Sequence, residues 1–509
     1  MKHGRTTKSI RNIKYAIIGQ ATGIVINFIN RMVFLHTLSI DYLGINGLFS
    51  NILSLLALAD LGVGAAIVYS LYKPLAEKDN YKVKALMTLY KRIYVAIGTF
   101  IGILGIVITP FLKFLISDIP NIPNISLIFI LFVINSATSY FLSYKRSLII
   151  ADQKRYITTF YRYTFFLGLN IIQIIFLFLT HNFIIYLLLQ VINTLLENIF
   201  VSNKANKLYP FLKETGQARL DKNEKHVITR NIKAMMFHRI GGVVVSGTDN
   251  ILISKLVGIK AVGIYSNYFL ITNALNMVIG LIFQAITASI GNLTATENNN
   301  EKTIRIFGVL NFMGFWIYGF CSICLLLLFN PFIEIWLGED FLFHMPIILV
   351  IVCNFFLTGM RKSVLSFRDA FGIYWNDRFK PLFESVINLV VSIFLGIHYG
   401  VIGIFIGTAI STLTTCFWVE PYVLYKYGFA SPVREYFKKY FHYTFVLIFT
   451  GIISYWFSEQ ILFEGVAGFF IKMSICIIIP NLFFFLFFFR TVEFKHLWNV
   501  FSSMLLKKI

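Results

Sequence analysis

The stretch QATGIVINFINR (Gln20–Arg31) decides how this chain is read. Gln20, Gly23, Asn27, Asn30 and Arg31 fall within about 100° of one helical face, in a run apolar enough to cross a bilayer. RIGGVVVSGTDN (Arg239–Asn250) repeats the pattern at an offset of 219, from 20 to 239, without a gap. There Arg239, Gly242, Ser246, Asp249 and Asn250 take the same positions. The following turn repeats too: IDYLGI (Ile40–Ile45) aligns with IKAVGI (Ile259–Ile264), Gly44 matching Gly263. Polar faces on matched membrane helices predict two homologous halves sharing a water-filled cavity, and such a cavity predicts transport.

Composition agrees. Hydrophobic residues make up 57% and charged residues 14% of the 509, where a soluble domain carries roughly 25% charge. A spanning helix needs about 20 apolar residues, so about fourteen fit. They are expected near 13–38, 42–70, 92–116, 125–150, 163–180, 182–203, 231–254, 261–290, 306–329, 346–368, 381–398, 401–426, 441–457 and 465–489. The expected fold is an all-α membrane protein with two pseudo-symmetric six-helix lobes plus two extra C-terminal helices. Residues 1–203 form the first lobe, 204–230 a cytoplasmic linker, 231–426 the second lobe, and 427–509 helices 13 and 14 with a cytoplasmic tail.

Most of the 45 Lys and Arg lie at the termini and in alternate connections. Only Lys255 and Lys260 break the pattern. The positive-inside rule then places both termini in the cytoplasm. The net charge of +21 is mainly this topology signal plus attraction to anionic lipid. Nucleic-acid binding is excluded, because the charge is spread over many loops. The amino terminus imitates a signal peptide, but its apolar run is too long and contains Asn27, Asn30 and Arg31, so it is kept as the first span. Cys321, Cys324, Cys353, Cys416 and Cys476 all lie in apolar runs and are expected to pack. No zinc signature, phosphate loop or nucleophile elbow occurs, so no cofactor, metal or catalytic residue is expected.

The outward connections are short. The longest, around 330–345, carries Glu334, Glu339 and Asp340 with no basic partner in the sequence beside them, which reads as a solvated loop rather than an active site. The inner loops are too small for a nucleotide-binding domain.

The intramembrane polar residues are the candidate sites. Arg31, roughly 10 Å deep, suits an anionic group that its guanidinium can grip bidentately; the competing reading is a snorkelling or structurally paired Arg. Asn27, Asn30, Gln20, Asn250, Asn273 and Asn276 are cavity candidates, with Gln284 beside them. Asp249 is a gate candidate, able to pair with Arg31 when the outer end closes. Arg239, towards the inner side, suits a phosphate or snorkels to the inner headgroups. Asp60 shares a face with Asn46, Ser50, Ala57 and Gly64, which reads as close helix packing or as a site for a coupling ion, H+ or Na+. Glu197, Glu384 and Glu420 near inner helix ends read as structural.

The segment YLGINGLFSNILSLLALADLGVGAAIVYSLYKPLAEKD (Tyr42–Asp79) resembles the first-lobe signature of bacterial polysaccharide-unit flippases, the Wzx-type branch of the multidrug/oligosaccharidyl-lipid/polysaccharide exporter superfamily. So does His238–Asn267, with Gly247-Thr248-Asp249-Asn250 and Val262–Asn267. The resemblance covers most of the chain. It implies a V-shaped pair of helix bundles in the bacterial plasma membrane that moves an undecaprenyl-diphosphate-linked oligosaccharide from the inner to the outer leaflet. That step serves capsule, O-antigen or exopolysaccharide synthesis, with a polymerase and glycosyltransferases as partners besides membrane lipids. The relative that flips the peptidoglycan precursor has several arginines in its first two helices; here only Arg31 lies in the apolar core. The alternatives are a drug or small-cation exporter of the same fold and, less compatible with the short outer loops, a membrane glycan polymerase or transferase.

Overall fold

The computed structural model describes residues 2–57, 63–116, 122–213, 220–221, 247–296, 300–373, 376–461, 463 and 465–506. All regular structure among them is helical. The chain divides into two compact units, Met1–Gly263 and Ile264–Ile509.

The first unit contains α1 (Lys2–Thr37), α2 (Ile40–Leu56), α3 (Val63–Glu77), α4 (Asn80–Ile108), the single turn α5 (Leu112–Leu115), α6 (Ile125–Tyr140), α7 (Tyr144–Ala151), α8 (Arg155–Thr180), α9 (Phe183–Leu208), α10 (247–256) and the first turn of α11 (Ile259–Thr296). Helix starts follow local chemistry. Asp79 accepts from Lys82 N at 2.9 Å and caps α4, and Asn182 accepts from Ile184 N at 2.8 Å and caps α9, each satisfying orphan amides. α1 lies against α8 because glycine permits it: a Cβ on Gly19 would stand 2.1 Å from the Tyr163 ring.

The second unit contains the rest of α11, α12 (Asn300–Leu337), α13 (Met345–Phe371), α14 (Lys380–Tyr399), α15 (Val401–Thr414), α16 (Cys416–Val423), α17 (Arg434–Glu459), α18 (Gly465–Phe488) and α19 (Val492–Leu506). Pro421 interrupts α16, and a π-helical turn, Leu424–Phe429, follows. The core is aromatic. Phe315 stacks on Tyr443 of α17 at 4.6 Å and packs on Phe484 of α18 at 4.9 Å, so the two extra helices are docked on α12. Their other faces expose Ile452, Ile477 and Ile478, an apolar surface suited to lipid.

Among the described residues, eleven helices are long and apolar enough to span a membrane, or twelve if α6 and α7, bent by 43°, form one span. The second and seventh expected spans are cut by residues 58–62 and 222–246, outside the described set. The remaining twelve expected spans coincide with these helices. The boundary between the units falls inside α11, whose first turn packs on α2. The expected cytoplasmic tail carries a helix of its own, α19.

Candidate functional site

The helix-1 stripe resolves into two faces. Gly19, Gly23 and Asn30 are buried on the side that meets α8. A Cβ on Gly23 would touch Tyr163 at 3.5 Å, and Asn30 Nδ2 donates to Asn170 Oδ1 of α8. Gln20, Asn27 and Arg31 lie within roughly 40° of one another on the adjoining face. There Gln20 and Arg31 are half-buried and Asn27 is exposed. A window of about 100° takes in both a packing seam and an accessible row.

Asn30 sits in a polar bracket built by three helices. Asn170 Nδ2 donates to Phe166 O at 2.7 Å, Gln173 Nε2 donates to Tyr186 O of α9 at 3.0 Å, and the Tyr186 and Asn30 side chains are hydrogen-bonded. Arg31 interacts electrostatically with Tyr186. Asn170 and Gln173 are almost fully buried, so these bonds are made where water is scarce and unmet groups are costly. The bracket fixes the backbone carrying Arg31.

The repeated turn has a reciprocal geometry. A Cβ on Gly44 would lie 2.2 Å from Ile259 O, and a Cβ on Gly263 would lie 2.7 Å from Ile40 O. Ile40 and Ile259 are themselves repeat equivalents, so each glycine receives the other segment's matching carbonyl. This pairing is the structural reason for a glycine at both positions. Asn250 Nδ2 lies 3.8 Å from the Cβ position of Gly47, and Asp249 and Asn250 are half-buried on α10. Arg239 and Asp60 lie outside the described residues.

In the second unit, Asn273 is exposed, its amide reaching Met277 Sδ at 3.6 Å, and Asn276 Oδ1 accepts from Tyr318 OH at 3.4 Å. Gln284 is exposed. Glu384 and Glu420 gather basic partners that the sequence does not announce. Arg361 grips Glu420 bidentately, Nε to Oε2 at 3.0 Å and Nη2 to Oε1 at 2.8 Å, and reaches Glu384 at 3.5 Å. Lys380 also bonds Glu420, and Arg368 holds Asp377 at 2.8 Å. Arg361 and Glu420 are 59 positions apart, so no local pattern announces them. The reading of Glu384 and Glu420 as structural matches this arrangement.

No family model matches the chain, and no curated protein matches it. Solved structures do. A lipid II flippase, MurJ, in an inward closed conformation superposes with a TM-score of 0.66 at 15% identity, covering 94% of this chain and 99% of that one. A multidrug resistance MATE transporter of the MOP superfamily, inward-facing, gives 0.61 at 14%, covering 80% and 96%. A point mutant of the Vibrio cholerae MATE transporter VcmN gives 0.56 at 12%, covering 84% and 99%. The chain has the fold of MOP-type membrane transporters. These neighbours are transporters rather than enzymes.

Proposed function

We propose that the chain is a flippase that carries an undecaprenyl-diphosphate-linked oligosaccharide from the inner to the outer leaflet of a bacterial plasma membrane. The observation that carries this reading is Arg31, half-buried in a span beside Tyr186 and held there by the Asn30–Asn170 bracket. A charge at that depth costs on the order of 3 kcal/mol on insertion scales, and an anionic substrate group is the use that offsets it. The match to a flippase over 94% of the chain, against 80% for the MATE transporter, also supports the reading.

The physical problem is the headgroup. Each sugar hydroxyl taken unpaired into hydrocarbon costs about 4–8 kcal/mol. A polar-walled cavity replaces those bonds while the polyprenyl tail stays in lipid, and rocking of two lobes exposes the cavity to each side in turn. Moving the diphosphate outward is favoured by roughly 2.3 kcal/mol per charge per 100 mV, so the membrane potential, with or without H+ or Na+, drives release. Both termini face the cytoplasm in this scheme. Arg31 and Asp249 pair when the outer end is closed, which a charge swap that rescues the single reversals would support.

The test is transbilayer movement of the lipid-linked oligosaccharide in vesicles: Arg31→Ala is expected to abolish it with the fold intact. The second reading, a drug or small-cation exporter, rests on the MATE similarity. It predicts that Arg31→Ala is tolerated and that Asp60 is essential.

A further inference from the structure

The last helix, α19, follows α18 after Phe489, Arg490 and Thr491. Thr491 closes its first turn, where Phe494 N donates to Thr491 Oγ1 at 3.3 Å. Three helices measure the depth of that turn. Trp316 stands about 30 Å along α12 from Leu337, Lys439 about 30 Å along α17 from Glu459, and Phe485 about 30 Å along α18 from Gly465. This is the thickness of the hydrocarbon core. Each of the three touches the start of α19. Phe494 stacks on Trp316 at 5.7 Å and meets Phe485 edge to face at 5.6 Å. Lys439 Nζ donates to Glu493 Oε1 at 2.5 Å. α19 therefore begins at the plane where hydrocarbon gives way to headgroups, the level at which Trp is enriched in membrane proteins.

Beyond that start the helix is two-sided. Apolar residues recur in its sequence at intervals of three and four, at Phe494, Leu497, Trp498, Phe501, Met504 and Leu505, the amphipathic period. Phe494, Leu497 and Trp498 fall within about 100° of one face, and Lys495, His496 and Asn499 within about 100° on the opposite one. The protein covers part of the apolar face. Phe494 and Leu497 are half-buried, whereas Trp498 stacks on Phe494 at 6.0 Å and is still 59% exposed. Lys495 and His496 are exposed, as is Arg490 just before the helix, whose guanidinium lies over the Phe489 ring at 5.1 Å. The one acid in the sequence of α19, Glu493, is held by Lys439. A helix rising from this plane into water would leave Trp498 without apolar cover. A helix lying flat sets its apolar side towards the acyl chains and its basic side among the headgroups.

We infer that α19 is an interfacial helix that lies in the headgroup plane and binds anionic phospholipid, with Trp498 sunk towards the acyl chains and Arg490 and Lys495 among the phosphates. Charge selects this surface, because the exposed groups around the start of the helix are basic while its carboxylate is already paired. On the positive-inside expectation the leaflet is the inner one, whose anionic lipids attract basic residues next to a span. The first turn is fixed to α12, α17 and α18, so the leaflet's grip on α19 holds those three helices at one depth. This contact needs no substrate and is independent of transport through Arg31.

The test uses the full-length protein in nanodiscs of phosphatidylcholine, alone or mixed with phosphatidylglycerol. The fluorescence lost in Trp498→Phe isolates one of the six tryptophans. That emission is expected to be quenched by lipid brominated near the headgroup end of its chain and shielded from iodide in the water. Hydrogen exchange across α19 is expected to slow when phosphatidylglycerol is added and to lose this protection in high salt. Lys495→Gln should reduce the protection about fivefold. Quenching of Trp498 by iodide but not by brominated lipid would overturn the inference and leave the apolar face to a soluble protein. Exchange across α19 that does not respond to phosphatidylglycerol in the folded protein would overturn it as well.

Discussion

Among the described residues, the first unit holds its intramembrane polar groups with amides and hydroxyls besides the Arg146–Glu197 pair; the second joins its own in a network of opposite charges. In the first, Asn30 meets Asn170, Thr194 meets Asn135, and Lys145 is gripped by Ser202 and Asn206. In the second, Arg361, Lys380, Glu384 and Glu420 interlock, and Arg368 holds Asp377. The difference lies in how buried polar groups are satisfied. Cations matched to buried carboxylates are already satisfied and lock three helix ends together.

If that contrast is right, the largest stability effect belongs to the second unit. Glu420→Gln leaves Arg361 and Lys380 buried against a neutral amide and should destabilise by about 3–5 kcal/mol, read as a large fall in the detergent unfolding midpoint. An unchanged midpoint would remove the basis of the comparison. Next is the repeated turn. Gly44→Ala and Gly263→Ala each drive a methyl into a carbonyl and should each cost about 1–3 kcal/mol; a harmless Gly263→Ala would mean that the reciprocity has no energetic content. Asn30→Ala leaves the buried Asn170 Oδ1 without its donor and should cost about 1–3 kcal/mol. A double-mutant cycle with Asn170→Ala should show coupling between the two.

The smallest effect is expected at the carboxyl-terminal helix. Glu493 bonds Lys439 at 2.5 Å; burial pushes its carboxyl pKa up, but the hydrogen bond and charge of Lys439 outweigh this and hold it below the usual value. A depressed folded pKa stabilises above the unfolded pKa and is lost as pH falls through the folded one. Glu493→Gln should therefore remove a contribution of under about 1 kcal/mol at neutral pH and make no difference in acid, checked by hydrogen exchange across α19.

The spans were legible because lipid demands about 20 apolar residues in a row, and composition alone records that. Gly44 and Gly263 were legible as a repeat, though not as contacts. The bend at Phe141–Ser143 was invisible, since its residues are no more polar than their surroundings, and the π turn at Leu424–Phe429 equally so. The Arg361–Glu420 pair was invisible because its partners come from distant helices. The stripe on α1 is legible as polar residues at helical spacing, but not its division between a buried Asn30 and an exposed Asn27.

The central claim is that Arg31, set beside Tyr186 in the first unit, handles the charge of a lipid-linked substrate. The direct measurement is the flipping rate of an undecaprenyl-diphosphate-linked oligosaccharide in vesicles, with an imposed inside-negative potential and correctly oriented protein. The account predicts flipping by the unmodified protein, faster with the potential, and none by a folded Arg31→Ala variant. Undiminished flipping by that variant, or none by the unmodified protein under any potential, would contradict it.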